Sequence, residues 1–126
     1  MFCMVFSFSK KTYIYLMQEI NLELERKEIL NRYKGLLRDC KDKTDTADKK
    51  IIRKAFNLAV EAHKEMRRKS GEPYIYHPID VARIAAKDIG LGFTSIVCAL
   101  LHDVVEDTDY TLEDIERIFG NKVARI

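Results

Sequence analysis

From Tyr15 to about Arg38, apolar residues such as Leu16, Ile20, Leu24, Ile29, Tyr33, Leu36 and Leu37 recur close to the helical period, with Glu, Lys and Arg between them. That spacing predicts a first long helix. Cys40 to Asp48 is polar and aperiodic, a junction, after which Thr46 or Asp48 is placed to cap a second helix. This second pattern, through Ile51, Ile52, Ala55, Phe56, Ala59, Val60, Ala62 and His63, fades near Arg67. Lys69 to Pro78 then reads as a loop, marked by Ser70-Gly71, Pro73 and Pro78. Pro78 is expected at the first position of a third helix carrying Ile79, Val81, Ala82, Ile84, Ala85 and Ile89, stopped by Gly90 and Gly92. Thr94 or Ser95 would cap a strongly apolar fourth helix. Thr111 followed by Asp114 resembles a capping box opening a short last helix that runs to Phe119-Gly120. No segment alternates like a strand and no repeat is visible, so the expected fold is all-α.

Composition narrows the picture. The chain has 126 residues, 47% hydrophobic and 33% charged, which suits one globular, helix-rich domain with a modest core. Twenty-two basic against twenty acidic residues leave a net charge of +2, so no global field draws the chain to nucleic acid. An anionic ligand would have to be held by a local cluster. Three scattered cysteines, Cys3, Cys40 and Cys98, have neither metal-type nor disulfide-framework spacing and fit a reducing, cytoplasmic setting. Met1 to Ser9 is apolar but lacks a basic start, and Lys10-Lys11 lie on the wrong side for a secretory signal. It is also far short of the ~20 residues that span a bilayer. Residues 1–16 are therefore expected to be an apolar leader, with Met17 a candidate natural start, 17–45 an N-terminal helix and linker, and 46–126 the N-terminal half of the functional domain.

The chemistry concentrates in the most apolar stretch of the chain. Ile96 to Leu101 runs into His102-Asp103, and Val104-Val105 separates that pair from Glu106-Asp107. Polar groups in such a run cost free energy unless they find partners. On a helix, Glu106 lies four residues after His102 and Asp107 four after Asp103, so each pair shares a face. One imidazole and one carboxylate suit a borderline-hard divalent ion; the competing reading is a helix that simply ends in acidic residues. His77, beside Pro78, is a second imidazole on a stiff backbone. His63, behind Ala59 and Val60, reads better as a packed, hydrogen-bonded residue than as a ligand. Arg67-Arg68-Lys69 before Ser70-Gly71 forms a local basic turn suited to phosphate or a purine face, although basic runs at helix ends are commonly just solvated.

Arg68-Lys69-Ser70-Gly71-Glu72-Pro73-Tyr74-Ile75-Tyr76-His77-Pro78, followed by Ala99-Leu100-Leu101-His102-Asp103-Val104-Val105-Glu106-Asp107-Thr108, resembles the amino-terminal HD-type hydrolase domain of RelA/SpoT proteins. These enzymes make and destroy the alarmone (p)ppGpp. The resemblance extends from about Ala55 to Val123. It implies an HD-like helical bundle, incomplete at its C-terminal side, in which His77, His102 and Asp103 ligate Mn²⁺, and Glu106 and Asp107 position and activate water. Arg68, Lys69 and Ser70 would contact a guanine nucleotide. The implied reaction removes the 3′-pyrophosphate of (p)ppGpp, with neither membrane nor direct nucleic acid as partner, and with ribosome association only for a longer form. The family pattern also supplies a metal-binding Asp further downstream, so these 126 residues alone are expected to hold the ion weakly and turn over little or no (p)ppGpp. An HD-type phosphohydrolase for another nucleotide, and a non-catalytic guanine-nucleotide-binding fragment, remain alternatives.

Overall fold

A computed structural model describes residues 9–40, 44–89, 92–120 and 123. Among the described residues, five α-helices follow in order: α1 (Lys10–Asp39), α2 (Thr46–Ala62), α3 (Tyr76–Ile84), α4 (Phe93–Asp107) and α5 (Leu112–Phe119). A π-helical turn, Ala85–Ile89, prolongs α3. Among the described residues there is no strand, only an isolated antiparallel bridge between Arg67 and Pro73. The all-α expectation holds.

The core is built around α4, which packs on α2 and α3, while α3 also rests on α1. Ile52, Ala55, Phe56 and Ala59 of α2 face Ile96, Val97, Leu100 and Val104 of α4, and all eight are buried. This is the i, i+3/i+4 stripe that the spacing predicted on both helices. The C-terminal third of α1 joins them through Tyr33, which stacks on Phe56 with ring centroids 4.0 Å apart, and through Leu36. The other part of the predicted α1 stripe behaves differently. Leu16, Ile20 and Leu24 are exposed, because the described helices that pack on α1 meet its C-terminal end.

Several element ends differ from the sequence reading. Helix α1 begins at Lys10, upstream of Tyr15, because the Ser9 hydroxyl accepts the Thr12 amide as an N-cap. Helix α2 is capped by Asp45, one residue before Thr46, in a reciprocal box with Asp48. Gly92, rather than Thr94 or Ser95, is the N-cap of α4. Helix α3 starts at Tyr76, so Pro78 is its third residue; a proline fits there because first-turn amides lack intrahelical acceptors. His77 is thereby on a helical first turn and not in the loop. Gly90 and most of Met1 to Ser9 lie outside the described residues. The predicted Thr111–Asp114 capping box is present in full.

Candidate metal and nucleotide site

The site begins with one carboxylate. Asp103 projects from α4 with 14% of its side chain exposed. Two imidazoles reach its two oxygens: His77 Nε2 lies 3.6 Å from Oδ2, and His102 Nδ1 lies 3.2 Å from Oδ1. The side chains from α3 and α4 therefore converge, as the pairing of a proline-stiffened histidine with a His-Asp dipeptide requires. One helical turn on, Glu106 Oε1 is 3.6 Å from His102 Nε2. Ligand atoms of His102, Asp103 and Glu106 all lie within 4.8 Å of one another. The tightest donor group among the described residues thus includes Glu106, with His77 approaching from the Asp103 side. An imidazole and two carboxylates within that span form a donor set that fits a divalent cation.

Tyr74, which the sequence reading passed over, completes the inner end of the site. Its hydroxyl is 3.1 Å from Asp103 Oδ2 and 3.2 Å from Asp107 Oδ2, a single donor between two carboxylates. Burial, followed by the charges of Asp103 and Asp107, pushes the phenol pKa up to about 12, so it stays protonated and donates at neutral pH. The Tyr74 ring lies against His63 with centroids 5.0 Å apart. His63 is 2% exposed, and its Nδ1 bonds the Ala59 carbonyl at 3.0 Å. It is the packed residue its position suggested, and it supports the site from beneath. The Tyr74–Ile75–Tyr76–His77 run carried no periodicity that would single out Tyr74; the available signal was a hydroxyl three residues before a candidate ligand.

His77, His102, Asp103 and Glu106 line one wall of a cleft of about 600 Å³. The opposite lining is apolar, with Val81 and Ala85 beyond His77, Leu101 and Val105 on α4, and Leu112 and Ile115 from α5. Arg68, Lys69 and Ser70 are exposed on the loop between α2 and α3 and do not line this cleft. The loop has a defined shape nonetheless. The Arg68 amide donates to Glu72 O, the Tyr74 amide to Met66 O, and Gly71 supplies the turn at φ +94°. Arg67 leaves the basic cluster proposed from sequence: its guanidinium donates to both oxygens of Glu25 on α1, at 2.5 and 2.7 Å, and to Gly71 O. Arg68 retains only a long 3.9 Å approach to Glu72 and remains available to a ligand.

A family model described as the HD domain matches residues 55–126. The chain belongs to the HD-domain family. Membership implies a divalent metal, in agreement with the donors gathered on α4. The HD chain is 37% identical over 108 residues to the guanosine-3′,5′-bis(diphosphate) 3′-pyrophosphohydrolase of Aquifex aeolicus, across 86% of this chain and 14% of that protein. It is 47% identical over 77 residues to the bifunctional (p)ppGpp synthase/hydrolase SpoT of Escherichia coli strain K12, across 61% and 11% respectively. To a probable GTP pyrophosphokinase of Mycobacterium leprae it is 46% identical over 80 residues, across 64% and 10%. The HD chain thus spans 10–14% of the length of these relatives. Among the described residues, no helix is long and apolar enough to cross a membrane.

Proposed function

We propose that this HD domain carries the hydrolytic half-site for (p)ppGpp, in the cytoplasm, and removes the 3′-pyrophosphate to leave GDP or GTP. The observation that carries this reading is the gathering of His102, Asp103 and Glu106 donors within 4.8 Å, with His77 at the same carboxylate. The relatives' names supply the substrate class.

His77, His102 and Asp103 would hold Mn²⁺, with Glu106 close enough to share it. When bound, the cation lowers the pKa of water and offsets charge on phosphoryl oxygens. Glu106 and Asp107 orient the attacking water and accept its proton. The water oxygen bonds to the phosphorus next to the ribose, the bond from that phosphorus to O3′ breaks, and O3′ leaves with a proton. Pyrophosphate and a 5′-di- or triphosphate are the products, with no redox change. Arg68 and Lys69 bring positive charge to the polyphosphate or the base face, and Ser70 offers a hydroxyl at the turn. Positioning of this kind supplies much of the rate in reactions where the protein forms no covalent intermediate.

The test is Mn²⁺ titration by calorimetry together with pyrophosphate release from ppGpp, on the wild-type chain and on His102→Ala. Weak but saturable Mn²⁺ uptake is expected, lost in the variant, with any pyrophosphate release depending on Mn²⁺ and lost likewise. A chain that takes up no Mn²⁺, or a His102→Ala chain that behaves as wild type, would overturn the reading. Release from another nucleotide in preference to ppGpp would replace the substrate and keep the metal chemistry.

A further inference from the structure

We propose that Tyr74 is a positioning residue of this site, whose hydroxyl bridges the metal-ligating Asp103 to the water-orienting Asp107. The inference rests on the hydrolase reading above and adds to it a residue outside the ligand and nucleotide sets. Asp103 and Asp107 are one turn apart on α4, and like charges at that spacing repel. Nothing on α4 itself offsets the repulsion at Asp107. The compensating donor comes from outside the helix: the Tyr74 hydroxyl lies 3.1 Å from one carboxylate and 3.2 Å from the other.

Three contacts fix that hydroxyl independently of the carboxylates. The Tyr74 amide donates to Met66 O at 3.1 Å, which pins the backbone of the loop. Its ring packs on the buried His63 imidazole, 5.0 Å between centroids. The His77 ring meets it edge-on at 6.0 Å, so one aromatic body spaces both the carboxylate and an imidazole ligand. The oxygen that Tyr74 touches on Asp103, Oδ2, is the one facing His77 Nε2. A donor there sets the carboxylate's rotation and hence which oxygen each imidazole meets. Hydrogen bonds of this outer kind orient ligands, and their loss commonly lowers metal affinity or activity by about 10–100-fold.

Tyr74→Phe keeps the ring on His63 and removes only the bridge. The full 126-residue chain and this variant are titrated with Mn²⁺ by calorimetry, at a temperature where circular dichroism shows both fully folded. Where Mn²⁺ saturates, kcat and KM for ppGpp are measured separately. The expected result is a rise of about tenfold or more in the Mn²⁺ Kd. A matching fall in kcat is expected with KM unchanged, while the metal-free melting temperature stays close to wild type. Where turnover is too slow to follow, the Kd decides. A variant within twofold of wild type in Kd and kcat, or one altered only in KM or in melting temperature, overturns the inference and leaves the hydrolase reading standing. A wild-type chain that takes up no Mn²⁺ overturns both.

Discussion

Arg67 and Glu25 are 42 residues apart in sequence, yet the guanidinium donates to both carboxylate oxygens, at 2.5 and 2.7 Å. The pair ties the middle of α1 to the loop bearing Arg68, Lys69 and Ser70, at the residue just before them. Arg32, one and a half to two turns further along α1, lies 4.0 Å over the Tyr76 ring and pairs with Asp80 on α3. Helix α1 therefore braces the loop near both ends.

Cutting this brace should act on substrate binding more than on the fold. The Arg67 side chain is 43% exposed and that of Glu25 27%. Pairs of that exposure contribute about 0.2–1 kcal/mol to stability, so Glu25→Ala should unfold at nearly the wild-type urea midpoint. With Mn²⁺ present, its KM for ppGpp should rise about two- to fivefold at constant kcat, the equivalent of about 0.4–1 kcal/mol. Reversing the pair, Glu25→Arg with Arg67→Glu, should restore KM. Unchanged KM in the single variant would show that the loop holds its shape without α1.

The same pair makes an acid-sensitive contribution. The hydrogen bond from Arg67 is the main reason the Glu25 carboxyl titrates below its ordinary range, against the opposing effect of burial. A carboxyl whose pKa is lower in the folded than in the unfolded chain adds stability that is complete above the unfolded value, about 4.3. That contribution is lost as the pH falls through the folded value. The melting-temperature gap between wild type and Glu25→Gln should therefore be constant near neutrality and close below about pH 4. A gap that persists undiminished into strong acid would contradict the assignment.

Periodicity and chemistry left different marks in this sequence. The α2 and α4 stripes were legible because Ile52 to Ala59 and Ile96 to Val104 each repeat at helical spacing and bury together. The His102-Asp103 dipeptide was legible for a related reason, as polar groups in an apolar run demand partners. Tyr74 was not, because its importance lies in a tertiary contact to two carboxylates some thirty residues away. Arg67 was grouped with Arg68 and Lys69 by adjacency alone, and its true partner on α1 left no local sign. The π-helical turn at Ala85–Ile89 was equally hidden, since a 3.6-residue reading assigns those five residues to a continued α3. The caps of α2 and α5 were read to within a residue, whereas the Ser9 cap of α1 lies ahead of the first periodic residue and was missed; at α4 the cap is Gly92, which makes no side-chain bond, so nearby Thr94 and Ser95 misled.

A glycine in α1 offers a test of how α3 is seated. A Cβ at Gly35 would meet the Arg83 guanidinium at 2.8 Å, and Arg83 Nε donates to Asp39 Oδ2 at 2.7 Å. Alanine in a helix interior ordinarily stabilises by about 0.5–1 kcal/mol over glycine. Here the flexible Arg83 must swing aside and lose a charged hydrogen bond of comparable worth, about 1 kcal/mol or more. Gly35→Ala should therefore fail to stabilise, and Asp39→Ala should cost much less in the Gly35→Ala background than alone. Additive effects in that double-mutant cycle would mean Arg83 keeps its bond beside the new methyl.

Helix α5 closes the apolar side of the cleft through Leu112 and Ile115, yet it has only eight residues. A helix that short does not persist on intrinsic propensity, so it depends on packing and on its cap. The Thr111 hydroxyl accepts the Asp114 amide at 3.1 Å while the Asp114 carboxylate accepts the Thr111 amide at 3.0 Å. Thr111→Ala removes one half of this reciprocal pair and should cost about 0.5–2 kcal/mol, read as a lower urea midpoint with unchanged slope. Thr111→Ser, which keeps the oxygen, should fall close to wild type. Because Leu112 is the first residue of the helix, fraying there should also loosen the cleft wall and speed amide exchange across residues 114–118 more than in α4. Equal losses in the serine and alanine variants would assign the stabilisation to the threonine methyl and not to the cap.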